Sequence, residues 1–86
     1  MRKIFFSENS FGDMLFWSVT DLKLLKKIFQ LIEAIRKNLF EGLGKPEALK
    51  YDYKGWWSRR INEEHRLIYE ITDIAIIIHN ARYHYK

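Results

Sequence analysis

The sequence predicts an α+β fold: a small antiparallel sheet with two N-terminal helices packed on one face, in the order β-α-α-β-β-β. Three observations carry this. In "TDLKLLKKIFQLIEAIRKNLF", residues 20–40, Leu25, Ile28, Ile32, Ile35 and Leu39 recur at three- and four-residue steps. That is the period of an amphipathic helix. After residue 55 the pattern turns strand-like, with "WWSRRI", "HRLIYEIT" and "IAIIIHNARY" separated by turns short enough for antiparallel hairpins. Between the two regimes, "EGLGKPEALKYDYKG" holds three of the four glycines and the only proline, and reads as a loop of about fifteen residues. Loops of that length are uncommon in compact domains and often functional.

The remaining elements follow in order. "RKIFF" is a β-branched and aromatic run, hence a first strand. Ser7 and Ser10 offer helix caps, with Asp13 three residues after Ser10 in a capping-box arrangement. The short helix in "FGDMLFWSV" aligns Phe11, Leu15 and Val19 in one apolar stripe. Trp56 and Trp57, adjacent on a strand, point to opposite faces, one to the core and one to a rim. In the tail "NARYHYK", alternation puts Asn80, Arg82 and His84 on one face and Tyr83 and Tyr85 on the other. Residues 1–86 read as a single domain, without repeats or linkers.

Composition narrows the function classes. Of 86 residues, 48% are hydrophobic and 16% aromatic, which excludes disorder and suits the dense core a short chain needs. There is no cysteine, so neither a disulfide nor a thiolate site is available, and a reducing cytoplasm suits the chain. "MRKIFFSENSFG" has a basic start but only three apolar residues in a row, too few for a signal-peptide core, and no stretch approaches a membrane span. The net charge of +4 is spread over both halves, 7 basic against 5 acidic residues up to Leu43 and 8 against 6 after it. An acidic partner such as nucleic acid is permitted but not specified. No two histidines stand at metal-ligand spacing on one helix face, so no metal site is expected.

The polar residues near the sheet supply a kit for cutting RNA without a metal. A 2′-hydroxyl that attacks the adjacent phosphorus must lose a proton to a base, and the leaving 5′-oxygen must gain one from an acid. A guanidinium or ammonium aimed at the phosphoryl oxygens lowers the barrier between those steps. Carboxylate, arginine and histidine fill these roles, histidine because it titrates near ~6.5. Residue types alone leave plainer readings open. Glu47 on a loop is ordinarily solvated, Arg66 on a strand is ordinarily snorkelled or paired, and a terminal His84–Tyr85 is ordinarily frayed. Lys45, Lys50, Lys54, Arg59 and Arg60 serve equally as a solvated basic face. His65 and His79, inside apolar strands, read as packing histidines. From the residues alone the reading ends at a small α+β domain with a surface suited to RNA.

At "FEGLGKPEALK", "WSRRINEEHRLIYEI" and the terminal "ARYHY" the sequence resembles the YoeB (Txe) family, within the RelE-like bacterial toxins, over nearly the whole chain. The resemblance implies a ribosome-dependent mRNA endoribonuclease of a type II toxin–antitoxin system, acting in the ribosomal A site of the bacterial cytoplasm and needing no cofactor. Carried over by motif, Glu47 of "KPE" is the general base, His84 of "RYHY" the general acid and Arg66 of "EEHRL" the stabiliser of the phosphoryl transition state. Lys50 and Tyr85 resemble auxiliary residues, and Arg59 and Arg60 resemble residues near substrate or ribosomal RNA. The implied partners are an antitoxin of the YefM or Axe kind, the ribosome with its mRNA, and a second copy in a homodimer; no membrane is involved. The alternative is a fold relative acting by occupancy, such as a ParE-type gyrase inhibitor or a ribosome-binding module, but ParE-type toxins lack the Glu–Arg–His combination. Lys86 follows the tyrosine that ends many family members, and Tyr53 stands where a smaller apolar residue is common. The assignment further predicts a buried Tyr83 that anchors the tail and leaves His84 accessible.

Overall fold

In the computed structural model, which describes residues 2–50 and 53–83, the chain runs β1 (Lys3–Phe6), α1 (Glu8–Thr20), α2 (Leu22–Lys37), β2 (Glu47–Ala48), β3 (Trp56–Arg60), β4 (Arg66–Ile71) and β5 (Ala75–Asn80). Two helices and a sheet in the expected order are borne out, with two additions. The sheet has five strands ordered β1-β5-β4-β3-β2, because the "EA" of the long loop pairs antiparallel with β3, Glu47 opposite Ser58 and Ala48 opposite Trp57. The sheet is also mixed: β1 runs parallel to β5, in the register Lys3 opposite Ala75 through Phe6 opposite Ile78. Hairpin connections predict only local antiparallel pairs, and this pair joins the two ends of the chain. Among the described residues no helix is long and apolar enough to cross a membrane.

Helix α2 follows its periodicity. Asp21 caps it by accepting from Leu24 N, and Ile28, Leu31, Ile32 and Ile35 are buried. Leu39 lies beyond the helix end but still packs against the core. Helix α1 does not follow its apparent stripe. Phe11, Leu15 and Val19 are exposed, Val19 by 82%. The docked face is Ser10, Met14 and Trp17. Hydrogen bonds select that face. Ser10 Oγ donates to Ile78 O at 2.7 Å, Trp17 Nε1 donates to Ala81 O at 2.8 Å, and Asp13 Oδ2 accepts from Ala81 N at 2.9 Å. Ser7 is the N-cap, its side chain accepting from Ser10 N. Ser10 and Asp13 therefore form no capping box; both are spent on β5 and the chain just after it.

The core fills the space between the helices and one sheet face, from Met14, Trp17, Ile28, Leu31, Ile32 and Ile35 on the helices to Leu67, Tyr69, Ile76 and Ile78 on the strands. Apolar burial of this kind is worth ~25 cal/mol per Å² and is the main stabilising term. Within it sits one full charge. Arg59 is 0% exposed. Its Nε donates to Tyr69 Oη at 3.0 Å, Nη1 to Leu43 O at 3.1 Å, and Nη2 to Asn38 O at 2.6 Å and Glu41 O at 3.0 Å. Burial pushes the Tyr69 phenol above its ordinary 10.0, while the Arg59 hydrogen bond and charge pull it back, so Tyr69 meets the guanidinium as a neutral hydroxyl.

Gly44 completes the clamp. It has φ +88°, and a Cβ there would lie 2.7 Å from Leu31 Cδ2 and 3.0 Å from Arg59 Cβ. Its carbonyl accepts from Arg60 N at 2.6 Å, which seats the loop against β3. Gly44→Ala is expected to lower the free energy of unfolding by about 1–3 kcal/mol, from overpacking and left-handed strain. Arg59→Lys, which loses the planar fork and strands several carbonyls, is expected to cost about 2–4 kcal/mol. Urea unfolding of each variant measures both; a change below about 0.5 kcal/mol in either would refute the clamp.

Candidate active site

The sheet face opposite the helices carries a groove of about 250 Å³, lined by Lys45, Glu47, Leu49, Ser58, Arg60, Arg66 and Ile68. Strand alternation explains the set. Glu47 pairs with Ser58, Ser58 with Ile68, and Arg60 with Arg66, so these side chains share one face. The intervening residues Trp57, Leu67 and Tyr69 face the core. One carboxylate and three cationic side chains thus converge on a short apolar floor. Lys45 reaches it through a left-handed backbone, φ 51°.

Among the described residues, Arg66 is held from one side. Its Nη1 donates to Asn62 O at 2.6 Å, Glu63 O at 3.2 Å and His65 O at 3.1 Å, the carbonyls of the turn before β4. These contacts occupy one nitrogen of the fork, and a planar guanidinium held so directs its other donors as a unit. Glu47 and Arg60 are exposed.

Not every residue expected here arrives. Arg59, expected near substrate, is buried on the core face with its donors on Tyr69 and the loop carbonyls. Neighbours on a strand face opposite ways, so Arg60 is in the groove and Arg59 is not. Lys50 is exposed just past β2 and does not line the groove. His84 and Tyr85 lie outside the described residues, as does Lys86. Trp57 packs against the core, and Trp56 takes the other face. There it stacks on His79 with centroids 3.8 Å apart and planes 3° from parallel. His79 Nε2 donates to Glu70 Oε1 at 2.9 Å, so this is a satisfied packing histidine as expected.

The tail departs from strand geometry after Asn80, and with it from the expected alternation. Tyr83 has φ 63° and is 54% exposed, so it does not anchor the tail by burial. Backbone groups do that instead. Ala81 N and O are held by Asp13 and Trp17 of α1. Tyr83 N donates to His65 Nδ1 at 2.7 Å, and Tyr83 O accepts from Arg66 N at 3.0 Å. The Arg82 guanidinium lies 3.5 Å over the Phe16 ring. Asp13, Trp17 and His65 escaped sequence reasoning as supports of the tail. The sole signal for His65 was its place beside Arg66 in "EEHRL", and for Asp13 there was none.

Comparison with known proteins gives the site a context. A family model described as "YoeB-like toxin of bacterial type II toxin-antitoxin system" matches residues 6–85. Toxin YoeB of Escherichia coli (strain K12) is 52% identical over 83 residues, covering 96% of this chain and 99% of that protein. Toxin YoeB of Synechocystis is 51% identical over 84 residues, 98% of each. Among solved structures, a YoeB dimer from Staphylococcus aureus superposes with a TM-score of 0.91 at 45% identity, covering 98% of both chains. A YoeB–YefM complex from the same organism gives 0.88 at 43% identity and 99% coverage of both.

Burial raises the Asp13 carboxyl above its ordinary 3.8, against the lowering pull of the Ala81 N–H and of the Arg82 charge. A raised acid binds its proton more tightly in the fold than in the unfolded chain, so stability falls as pH climbs through and above 3.8, then levels off. Asp13→Asn keeps an oxygen for Ala81 N and removes the half-buried charge. Thermal unfolding is expected to show the variant at least as stable as the parent at pH 7, the two converging near about pH 3. A variant clearly weaker at pH 7 would show that the charge itself is needed there.

Proposed function

This chain belongs to the YoeB-like toxins of bacterial type II toxin–antitoxin systems, and on that premise we propose that it is an endoribonuclease that cuts mRNA in the ribosomal A site. The observation that carries the reading is the groove where Glu47 shares one sheet face with Arg60 and Arg66. In the proposed reaction the Glu47 carboxylate takes the proton of a 2′-hydroxyl, whose oxygen attacks the adjacent phosphorus. The P–O5′ bond breaks as the P–O2′ bond forms, leaving a 2′,3′-cyclic phosphate. His84 gives its proton to the departing 5′-oxygen. Arg66, held by the turn carbonyls, meets the charge that gathers on the phosphoryl oxygens. Arg60, Lys50 and Tyr85 assist in holding phosphate or base.

An exposed glutamate is a weak base, and a flexible message rarely presents its 2′-oxygen in line with the leaving group. A ribosome that holds the message in that geometry supplies up to ~7–11 kcal/mol of the barrier. Free RNA is therefore a poor substrate. The related YoeB dimer and YoeB–YefM complex support two partners for this chain, a second copy and a YefM-like antitoxin. In this reading an acidic segment of the antitoxin covers the groove cations.

The test is cleavage of a defined mRNA with and without programmed ribosomes. Cuts are expected only with ribosomes. Glu47→Gln and His84→Ala are each expected to lower the rate by about 10²–10⁴-fold and Arg66→Ala by about 10²–10³-fold. Translation still blocked by the parent with no cut in the message would replace this reading with inhibition by occupancy. Arg60→Glu is expected to weaken antitoxin binding at least about tenfold by calorimetry; unchanged affinity would remove the charge-masking role.

A further inference from the structure

We propose that His65 is a positioning residue that latches the C-terminal tail through a neutral imidazole, and that protonating it releases the tail. The inference rests on the proposed function for its consequence, because the latched residue, Tyr83, immediately precedes His84. The latch itself is independent of that reading.

His65 is 6% exposed and closes the turn before β4. Asn62 Oδ1 accepts its backbone N–H at 2.7 Å, which sets the imidazole in place. The ring meets Trp17 edge-on at 4.8 Å and lies 5.5 Å from the Tyr83 ring. Its Nδ1 accepts from Tyr83 N at 2.7 Å. An imidazole nitrogen accepts only when it carries no proton, so Nε2 holds the proton, 3.6 Å from Glu64 Oε1. The left-handed turn at Tyr83 takes its amide off the line of β5 and hands it to His65, while its carbonyl takes the N–H of Arg66. Both backbone groups of Tyr83 are thus held by two consecutive residues, one of which lines the groove.

Among the described residues, the charged groups near His65 are Asp13 on α1, which also faces Arg82 of the tail, Glu64 on the turn and its neighbour Arg66 on β4. A second proton on the ring turns Nδ1 into a donor facing another donor at 2.7 Å. The Tyr83 bond then cannot form. The ties at Ala81 lie upstream and stay intact, so the release is that of the Tyr83 amide and leaves the core folded.

The experiment is nitrogen NMR of the His65 ring with amide exchange at Tyr83, followed across about pH 5–8, where histidines titrate. Expected are an Nε2–H tautomer and a Tyr83 amide whose protection falls at least about tenfold, with the midpoint of the His65 ring. His65→Asn, whose Oδ1 accepts but does not titrate, should hold Tyr83 without the pH dependence. His65→Leu should leave it exchanging fast at every pH. In ribosome-programmed cleavage His65→Leu should lower kcat by about 10²-fold through misplacement, with little change in KM, and His65→Asn should restore it. A Tyr83 amide indifferent to pH and to His65→Leu, in a protein that cuts mRNA, overturns the latch and leaves the activity standing. A Tyr83 amide that follows His65 in a protein that cuts nothing establishes the latch and removes the activity.

Discussion

The buried guanidinium of Arg59 is the constraint on which the rest of the structure depends. A full positive charge in a protein interior is costly unless every donor is met. Here it is met by one neutral hydroxyl from β4 and by three backbone carbonyls between Asn38 and Leu43, with no carboxylate among these acceptors. Those carbonyls belong to a segment with little regular structure of its own, so the charge and the segment stabilise each other. The loop folds around Arg59, Gly44 allows close approach to Leu31, and the chain then enters β2 with Glu47 in register with Ser58. A surface carboxylate is placed by an interior cation.

The same economy operates at the other end of the chain. The helix α1 docks on β5 through a face that includes Ser10 and Asp13, because these side chains, with Trp17, satisfy the backbone where β5 ends. An apolar stripe of equal period on the other side, Phe11, Leu15 and Val19, is left in solvent. Buried backbone groups without partners are costly, and meeting them outweighs covering three more apolar side chains. What holds residues 81–83 after β5 is therefore hydrogen bonding to main chain, at Ala81 and Tyr83, and little of it is ring packing.

The groove joins these two supports. Strand β3 supplies Arg60 on one face because Arg59 is committed to the other, and β4 supplies Arg66 beside the turn that carries His65. Loop, strand and tail are separate in sequence, yet each is positioned by a polar group outside the groove: Arg59 for the loop, the turn carbonyls for Arg66, and His65 for Tyr83.

By itself the sequence determined the helix–sheet order, the face of α2, the opposed faces of Trp56 and Trp57, and, through its motifs, the membership that the comparisons show. Those properties are local: periodicity, turn residues and short motifs are written in consecutive residues. Tertiary structure alone decided the parallel β1–β5 pair, the docked face of α1, the interior position of Arg59 and the backbone anchoring of Tyr83. Each of these turns on a hydrogen bond between residues far apart in the chain. Alternation along β3 separates Arg59 from Arg60, but which of the two is buried depends on where the carbonyls of 38–43 come to rest. No period in a sequence records that.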